Sequence, residues 1–338
     1  MTAHRDDSLP PGFDPALPEI AVEAVPECAV CGGAASEPYA EGFDYELRTC
    51  RNRWRFVRCT ACGHVRLHPR PRPDTLPVIY PTTYYAYNYD TQVHPVARRA
   101  KQWLDERKVG GILTHLARTP ASYLDVGCGN GRFLDLMAAK GVARERLVGL
   151  ELDPATVARV RARGYQAFCA RVEECEDIPD GSLDLITMFH VIEHVDAPDA
   201  VVRRLARWLA PGGVLAIETP NLDSWDARLF RDRFWGGYHI PRHWHLFTPP
   251  TLTRLLEGAG LQVAGIRYQT GHSFWLYSFH HRLRYGPRPR PALARQFDPM
   301  GGSLLALAAV TALDKLRAAL GFRTSAMLVI AKKSAVSA

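Results

Sequence analysis

Apolar residues in the second half of the chain fall into short runs that alternate with helical patterns. The run Leu183–His190 has the length of a strand buried on both faces, and Gly213–Thr219 is a second such run. Between them, apolar residues from Pro198 to Ala210 recur at helical spacing and stop at Pro211-Gly-Gly. Two further apolar runs, 261–268 and 325–332, predict the last strands. This alternation predicts a parallel, doubly wound α/β sheet that binds ligands at the carboxyl ends of its strands.

An earlier apolar run, beginning at Tyr123, leads into a loop with glycines at 127, 129 and 131 before a helix begins at Arg132. Glycine permits positive φ and close approach of the backbone to a ligand, and the helix directs unpaired N–H groups to the same place. The loop lacks the G-x-G-x-x-G spacing that seats a pyrophosphate, so a ligand without phosphate is predicted. Asp125 ends the strand, and Glu151 follows about 20 residues after the loop, where an acid can accept ribose hydroxyls.

Asp125, the glycine loop and Glu151 resemble the motifs of class I S-adenosylmethionine (SAM) methyltransferases, over residues 120–220. The resemblance implies SAM as cofactor and an α/β, seven-stranded Rossmann-like sheet. In that fold the last strand is antiparallel and inserts between the fifth and sixth. The positions that match the family's cofactor site are Asp125, Gly127, Gly129, Gly131, Glu151, Leu152, Val172, Phe189 and His190.

Glu193 and His194 leave the fourth strand where cofactor and acceptor meet in the resembled fold. Methyl transfer is an in-line displacement, so the protein aligns the acceptor and removes its proton. A histidine of ordinary pKa can take that proton. We predict that His194 is the catalytic base and that Glu193 orients it or polarises the acceptor; the alternative is that the pair only pins its loop.

A similar Glu-His pair occurs in deoxysugar-nucleotide C-methyltransferases and in ubiquinone-type O-methyltransferases. In the second group neighbouring acids bind a divalent cation. His190 stands where a further acid would be expected, which weakens a magnesium interpretation here.

Two stretches are predicted to contact the acceptor. Residues 80–89 contain five tyrosines, among them Tyr84 and Tyr85, whose flat faces and hydroxyls suit a sugar or an aromatic ring. The alternative, weighed equally, is that these tyrosines pack between two domains and do not contact the acceptor. Residues 235–248 are predicted to form a substrate lid, in which Arg242 binds a phosphate or carboxylate and His243 or His245 binds a hydroxyl.

Four of the eight cysteines form two C-x-x-C-G pairs: Cys28, Cys31, Cys59 and Cys62. Two such pairs close a tetrahedral structural Zn²⁺ site, and residues 53–59 suit the second arm of a hairpin between them. The alternatives are disulfides, which are disfavoured in a reducing cytosol, and four unconnected thiols. A zinc-ribbon module is therefore predicted over residues 26–75.

Composition agrees with a large and a small domain, since the 338 residues are 47% hydrophobic and 23% charged. The first residues lack the apolar segment of a signal peptide, so a cytoplasmic location is predicted. The predicted divisions are a disordered N-terminus (1–25), the zinc module (26–75), a tyrosine-rich connector with helices (76–118) and the methyltransferase domain (119–338) with its lid near 222–250.

The acceptor predicted first is a small hydroxylated molecule, a sugar nucleotide or a glycan or glycolipid intermediate. The alternatives are quinone-type O-methylation, RNA methylation behind a zinc ribbon, and an inactive SAM-binding scaffold. The formal charge of +7 allows RNA, but the fourth strand lacks the Asn/Asp-Pro-Pro-aromatic ending of adenine and cytosine enzymes.

Residues 303–320 predict a largely apolar helix, too short to span a bilayer. We expect this helix to pack against the core of the methyltransferase domain. Peripheral contact with the inner face of the membrane is the alternative.

Overall fold

A computed structural model of the protein describes residues 9–81 and 95–335, with side chains from residue 102 onward in the second range. The strands in these ranges are β1 Val22–Glu23, β2 Ser36–Gly42, β3 Trp54–Cys59, β4 Val65–Leu67, β5 Arg70–Pro71, β6 Tyr123–Val126, β7 Leu147–Glu151, β8 Gln166–Cys169, β9 Leu183–Phe189, β10 Leu209–Pro220, β11 His245–Leu246, β12 Leu261–Gln269 and β13 Ala326–Lys333. The α-helices are α1 Leu76–Ile79, α2 Pro95–Leu113, α3 Arg132–Ala139, α4 Pro154–Ala162, α5 Pro198–Trp208, α6 Trp225–Leu229, α7 Pro249–Gly258, α8 His272–Tyr285, α9 Pro291–Ala294 and α10 Leu304–Ala319.

The larger sheet within the described ranges has seven strands in the order β12-β13-β10-β9-β6-β7-β8. The strands from β10 to β8 are parallel, whereas β13 runs antiparallel to both β10 and β12. This confirms the predicted α/β fold and the insertion of the last strand. The carboxyl ends of β6, β7, β9 and β10 consequently meet at one edge of the sheet.

Helices cover both faces of this sheet, which is why most side chains of its central strands are apolar and buried. Helix α5 begins at Pro198, as predicted, and buries Val201, Val202 and Leu205 completely. It ends two residues earlier than predicted because β10 already begins at Leu209. Burial of apolar area on both faces is the main stabilisation of such a sheet.

A second sheet, of four strands in the order β11-β4-β3-β2, holds the N-terminal module. The predicted hairpin is present, since β3 pairs with β2 between the two cysteine pairs. Its outer strand β11 comes from the predicted lid and pairs with β4. Residues 234–247 are all buried, which corrects the prediction of a lid over the cleft. Their aromatic side chains share a core with the N-terminal module instead.

The N-terminal segment also differs from its prediction. Residues 9–25, expected to be disordered, are described, and the side chain of Phe13 is buried in an aromatic cluster. Its ring lies 5.8 Å from that of Phe43 and 5.7 Å from that of Tyr285. Single aromatic anchors of this kind order a chain whose average composition is polar.

Candidate cofactor and acceptor site

The glycine loop lies between the end of β6 and the start of α3. Gly127, Gly129 and Gly131 all have positive φ, at 72°, 49° and 80°. A Cβ on Gly127 would lie 2.4 Å from Cγ2 of Val191, so only glycine fits where the loop passes the segment after β9. A Cβ on Gly129 would instead project into open space. The loop therefore presents bare backbone to the cleft.

Glu151 at the end of β7 is held against this loop. Its carboxylate accepts hydrogen bonds from the N–H of Gly129 at 3.0 Å and of Leu152 at 2.7 Å. Oε1 also accepts a long contact from the N–H of Asp153, at 3.4 Å, and Oε2 keeps one of its two acceptor positions for a further donor. This arrangement fits the two hydroxyls of a ribose placed over the loop.

Asp125 is the buried acid of the same edge, with 2% of its surface exposed. Its Oδ1 accepts from the Thr187 hydroxyl at 2.8 Å, while Oδ2 finds no partner among the described residues. Burial raises the pKa of Asp125 to about 7, and the nearby charge of Glu151 adds to the shift. An unpartnered buried carboxylate oxygen beside a glycine loop suits a cationic ligand, and so the residues fit SAM.

A pH dependence of cofactor binding follows from Asp125. A cationic ligand binds the ionised carboxylate best, so SAM affinity is expected to rise roughly tenfold from about pH 6 to about pH 8 as Asp125 loses its proton. Isothermal titration calorimetry measures this directly. Asp125→Asn is expected to bind more weakly and without that dependence; the same pH profile in Asp125→Asn would contradict the assignment.

Four charged side chains line the acceptor side of the edge, where β9 and β10 end. Nδ1 of His190 lies 3.3 Å from Glu193 Oε1, and its Nε2 lies 3.4 Å from Glu218 Oε1. Lys108 of α2 forms an ion pair with the other oxygen of Glu218. His190 has φ of 55°, a conformation that is uncommon outside glycine and that concentrates at functional sites.

Electrostatics separate the two histidines of this edge. The side chain of His190 is 45% exposed, so its partial desolvation disfavours charge only weakly, and Glu193 and Glu218 outweigh that effect and raise its pKa to about 9. Burial lowers the pKa of His194 to about 4, against the opposing charge of Glu193. Burial also opposes the charge of Glu218, but Lys108 and His190 hold its pKa at about 2. At neutral pH His190 is therefore a cation and His194 is neutral.

Glu193 and His194, predicted to act as a pair, each bond to other residues. Nδ1 of His194 lies 2.9 Å from the Tyr80 hydroxyl and 3.0 Å from the carbonyl of Arg242. Glu193 is fully buried, accepts from the Thr219 hydroxyl at 3.0 Å and faces His190. The carboxylate thus orients His190 rather than His194.

The two predicted substrate residues that the structure describes, Arg242 and His243, are buried and bonded to other parts of the protein. Arg242 is fully buried, and its guanidinium binds both carboxylate oxygens of Asp44, at 3.0 and 2.9 Å. This ion pair argues against the predicted contact with a substrate anion. His243 is also buried, with Nδ1 2.8 Å from the carbonyl of Gly237. Tyr84 and Tyr85 lie outside the described residues.

Glu193, His194 and His243 place one ligand atom each within 4.8 Å of one another, close enough to hold a metal ion. Two imidazoles and one carboxylate suit zinc or a similar transition metal better than Mg²⁺. The ligand types of this group, like the histidine at position 190, do not favour magnesium.

Sequence reasoning missed Glu218 and Lys108. Glu218 had a visible signal, because it is a carboxylate at the carboxyl end of an otherwise apolar strand. Lys108 lies on a helix far from the motifs along the chain, and only the packing of α2 brings it to the sheet edge.

The predicted metal cluster is assembled in the N-terminal module. The sulfurs of Cys28 and Cys62 lie 3.6 Å apart, as do those of Cys31 and Cys59. A disulfide would place the sulfurs about 2.05 Å apart, whereas the edge of a tetrahedron with Zn–S bonds of about 2.3 Å is about 3.8 Å. The four thiols are free and fit a tetrahedral metal.

A doubly wound sheet with a bare glycine loop, a ribose-binding acid and a buried second acid defines the class I methyltransferase architecture. A family model described as a methyltransferase domain matches residues 93–265, just over half of the chain. The chain therefore belongs to this family of SAM-dependent methyltransferases.

Named relatives agree at the level of the family. A probable S-adenosylmethionine-dependent methyltransferase of Mycolicibacterium smegmatis is 39% identical over 141 residues, which cover 41% of this chain and 51% of the relative. A ubiquinone biosynthesis O-methyltransferase of Xanthomonas euvesicatoria is 31% identical over 175 residues, 47% of this chain and 71% of the relative. The match thus spans only about half the length of the Mycolicibacterium protein.

Among solved structures, a Burkholderia thailandensis 1,6-didemethyltoxoflavin-N1-methyltransferase with bound S-adenosylhomocysteine is 17% identical. It covers 80% of this chain and 96% of its own, with a TM-score of 0.48.

Proposed function

We propose that the protein transfers the methyl group of SAM to an acidic hydroxyl oxygen of a small organic acceptor, such as the phenolic hydroxyl of a quinone precursor. The observation that carries this proposal is the position of His190 between Glu193 and Glu218 at the acceptor edge, at 3.3 and 3.4 Å, which favours its charged form. SAM supplies an electrophilic methyl group. The acceptor oxygen would form the new bond to the methyl carbon while its proton leaves to solvent; the bond between that carbon and the sulfonium sulfur would break, its electron pair would stay on sulfur, and S-adenosylhomocysteine would leave as the neutral thioether.

The charge states favour an acceptor that ionises easily. A sugar hydroxyl needs a strong base, and a neutral His194 with a pKa of about 4 is a weak one. A phenolic hydroxyl ionises near pH 10, and a neighbouring cation lowers that value further. His190 is therefore placed to stabilise the oxyanion as it forms, which is electrostatic rather than general-base catalysis.

Sugar-nucleotide methylation remains the competing proposal, since the sequence predicts it first. It requires His194 to act as the base. The relatives named ubiquinone biosynthesis O-methyltransferases support the phenolic acceptor.

We further propose that the four-cysteine cluster holds a structural Zn²⁺. Four thiolates at this spacing would fill all coordination positions of a tetrahedral ion and leave none for a reactant. The ion would therefore stabilise the module without taking part in the methyl transfer.

Substitution of His190 tests the catalytic proposal. His190→Gln is expected to lower kcat about 100-fold while SAM affinity stays within about threefold, because the cation acts on the developing oxyanion. His194→Gln serves as the matched comparison and is expected to lower kcat less than about tenfold. The reverse order of effects would return the role of base to His194.

Labelled SAM identifies the acceptor class. Transfer to catechol-like quinone precursors is expected, and transfer to sugar nucleotides instead would overturn the phenolic proposal. Transfer to RNA, with binding that weakens steeply with salt, would overturn both.

A further inference from the structure

Helix α10 presents its apolar side to solvent. Its exposed positions are all leucine or alanine with a single exception, Lys315: Leu304, Leu305, Ala308, Ala309, Ala312, Leu313, Lys315, Leu316, Ala319 and Leu320. At about 100° per residue they cover about half of the helix surface. We call these residues the outer face of α10.

The orientation of the helix is fixed by its polar residues, which point inward. Asp314 is fully buried and accepts from the backbone N–H of Gly271 at 2.8 Å and from the indole of Trp275 at 3.1 Å. Arg317 donates to Asp314 at 3.1 Å and to the carbonyl of Arg323 at 3.0 Å. Rotating the apolar residues inward would break the bonds of Asp314 to Gly271 and Trp275, which lie outside the helix, so the outer face stays exposed.

The exposure is large for leucine. Leu304 is 80% exposed, Leu305 82%, and Leu320 65%, and Phe322 just beyond the helix is 57% exposed. A surface helix of a globular protein normally turns its apolar side toward the core. Contiguous exposed apolar surface of this kind marks a site of interaction.

Positive charge is concentrated beside the same face. Residues 282–323 carry seven arginines and one lysine against two aspartates, a formal +6 of the +7 of the whole chain. Arg288, Arg290 and Arg295 are exposed. The N–H of Ser303 donates to the carbonyl of Gln296 at 2.9 Å, which brings this arginine-rich segment to the first turn of α10.

An anionic lipid surface is complementary to this combination. Leucines in the interface bury apolar area, and flanking arginines gain from anionic headgroups. None of the described helices is long and apolar enough to cross a membrane, so α10, about 24 Å long, would lie in the plane of the interface.

The link that follows α10 reaches the edge of the sheet that holds the site. The amide of Asn221 follows β10 and donates to the carbonyl of Thr324 at 2.9 Å, in the link between α10 and β13. Glu218 is three residues before Asn221.

We propose that the outer face of α10 docks the protein on an anionic membrane, with the leucines in the acyl boundary and the arginines of residues 282–295 among the headgroups. This inference goes beyond the proposed function and does not depend on the acceptor.

Co-sedimentation with vesicles of phosphatidylglycerol and phosphatidylcholine tests it on the full chain. The wild-type protein is expected to bind these vesicles at least about tenfold more tightly than pure phosphatidylcholine, with binding that weakens as salt is added. Leu304→Glu with Leu305→Glu is expected to lower binding at least about tenfold. Arg288→Glu with Arg290→Glu should lower binding to the anionic vesicles only.

The matched control is Val22→Glu with Val78→Glu, which adds the same two charges at apolar positions that are 41% and 38% exposed, and should leave binding unchanged. Circular dichroism establishes that each variant keeps its fold. Absence of wild-type binding, or equal binding by Leu304→Glu with Leu305→Glu, would overturn the proposal. A wild-type dimer that this double variant converts to monomer, without vesicle binding, would assign the outer face to a second copy of the chain.

Discussion

Removal of the metal from the four-cysteine cluster is expected to unfold the N-terminal sheet and to abolish methyl transfer. Structural zinc sites contribute about 10 kcal/mol or more of folding free energy to small modules. Unfolding of the N-terminal sheet would also destabilise residues 234–247, because β11 joins them to that sheet. Nδ1 of His245 in β11 lies 3.0 Å from Nε2 of His64. We expect the melting temperature to fall by more than about 10 °C.

Metal analysis and calorimetry check this result. The purified protein should contain one zinc per chain, and Cys31→Ser with Cys62→Ser should reproduce the effect of chelation. Cys169→Ser is the matched control, since this cysteine is exposed and outside the cluster. Metal-free protein with an unchanged melting temperature would refute the zinc proposal.

Arg242→Met is expected to lower the free energy of unfolding by about 3–5 kcal/mol, because it leaves the carboxylate of Asp44 buried without its counter-ion. The arginine also donates to the carbonyls of Ile79, at 2.8 Å, and Ile240, at 3.0 Å. It thereby joins the N-terminal module, α1 and residues 234–247. Denaturant unfolding at neutral pH measures the loss.

The pH dependence of stability should change sign with this substitution. In the wild type, burial raises the pKa of Asp44 but Arg242 outweighs it and holds the value at about 2, below the ordinary 3.8. The pair therefore stabilises the fold above about pH 4, and that contribution is lost as the pH falls toward 2. Without Arg242, burial raises the pKa, so stability should fall as the pH rises above about 4.

Two controls separate this effect from a general loss of packing. Asp44→Asn combined with Arg242→Met removes the unpaired charge and should recover part of the stability. Arg51→Met breaks the exposed pair with Glu19 and should cost less than about 1 kcal/mol. Equal losses in Arg51→Met and Arg242→Met would contradict the assigned role.

The sequence by itself determined the sheet and the cofactor edge. The apolar runs that became β9, β10, β12 and β13 are strongly patterned, because a strand covered on both faces must be apolar. Asp125 and Glu151 were predictable because each lies at the end of a strand that the apolar pattern already indicates. The loop beside them was recognisable because its three glycines adopt positive φ, which other residues rarely do. The four cysteines were equally local, since each pair is set by its spacing.

Only the tertiary structure decided the roles of the polar residues between these motifs. Arg242 and His243 are residue types common in binding sites, yet both are buried in the interior. Arg242 pairs with Asp44, 198 positions away along the chain, and His243 contacts the carbonyl of Gly237. His190, Glu218 and Lys108 come from three separate elements and acquired their charge states from one another. A pattern along the chain specifies which residues are buried, but a pKa depends on distances between side chains, and those exist only once the chain has folded.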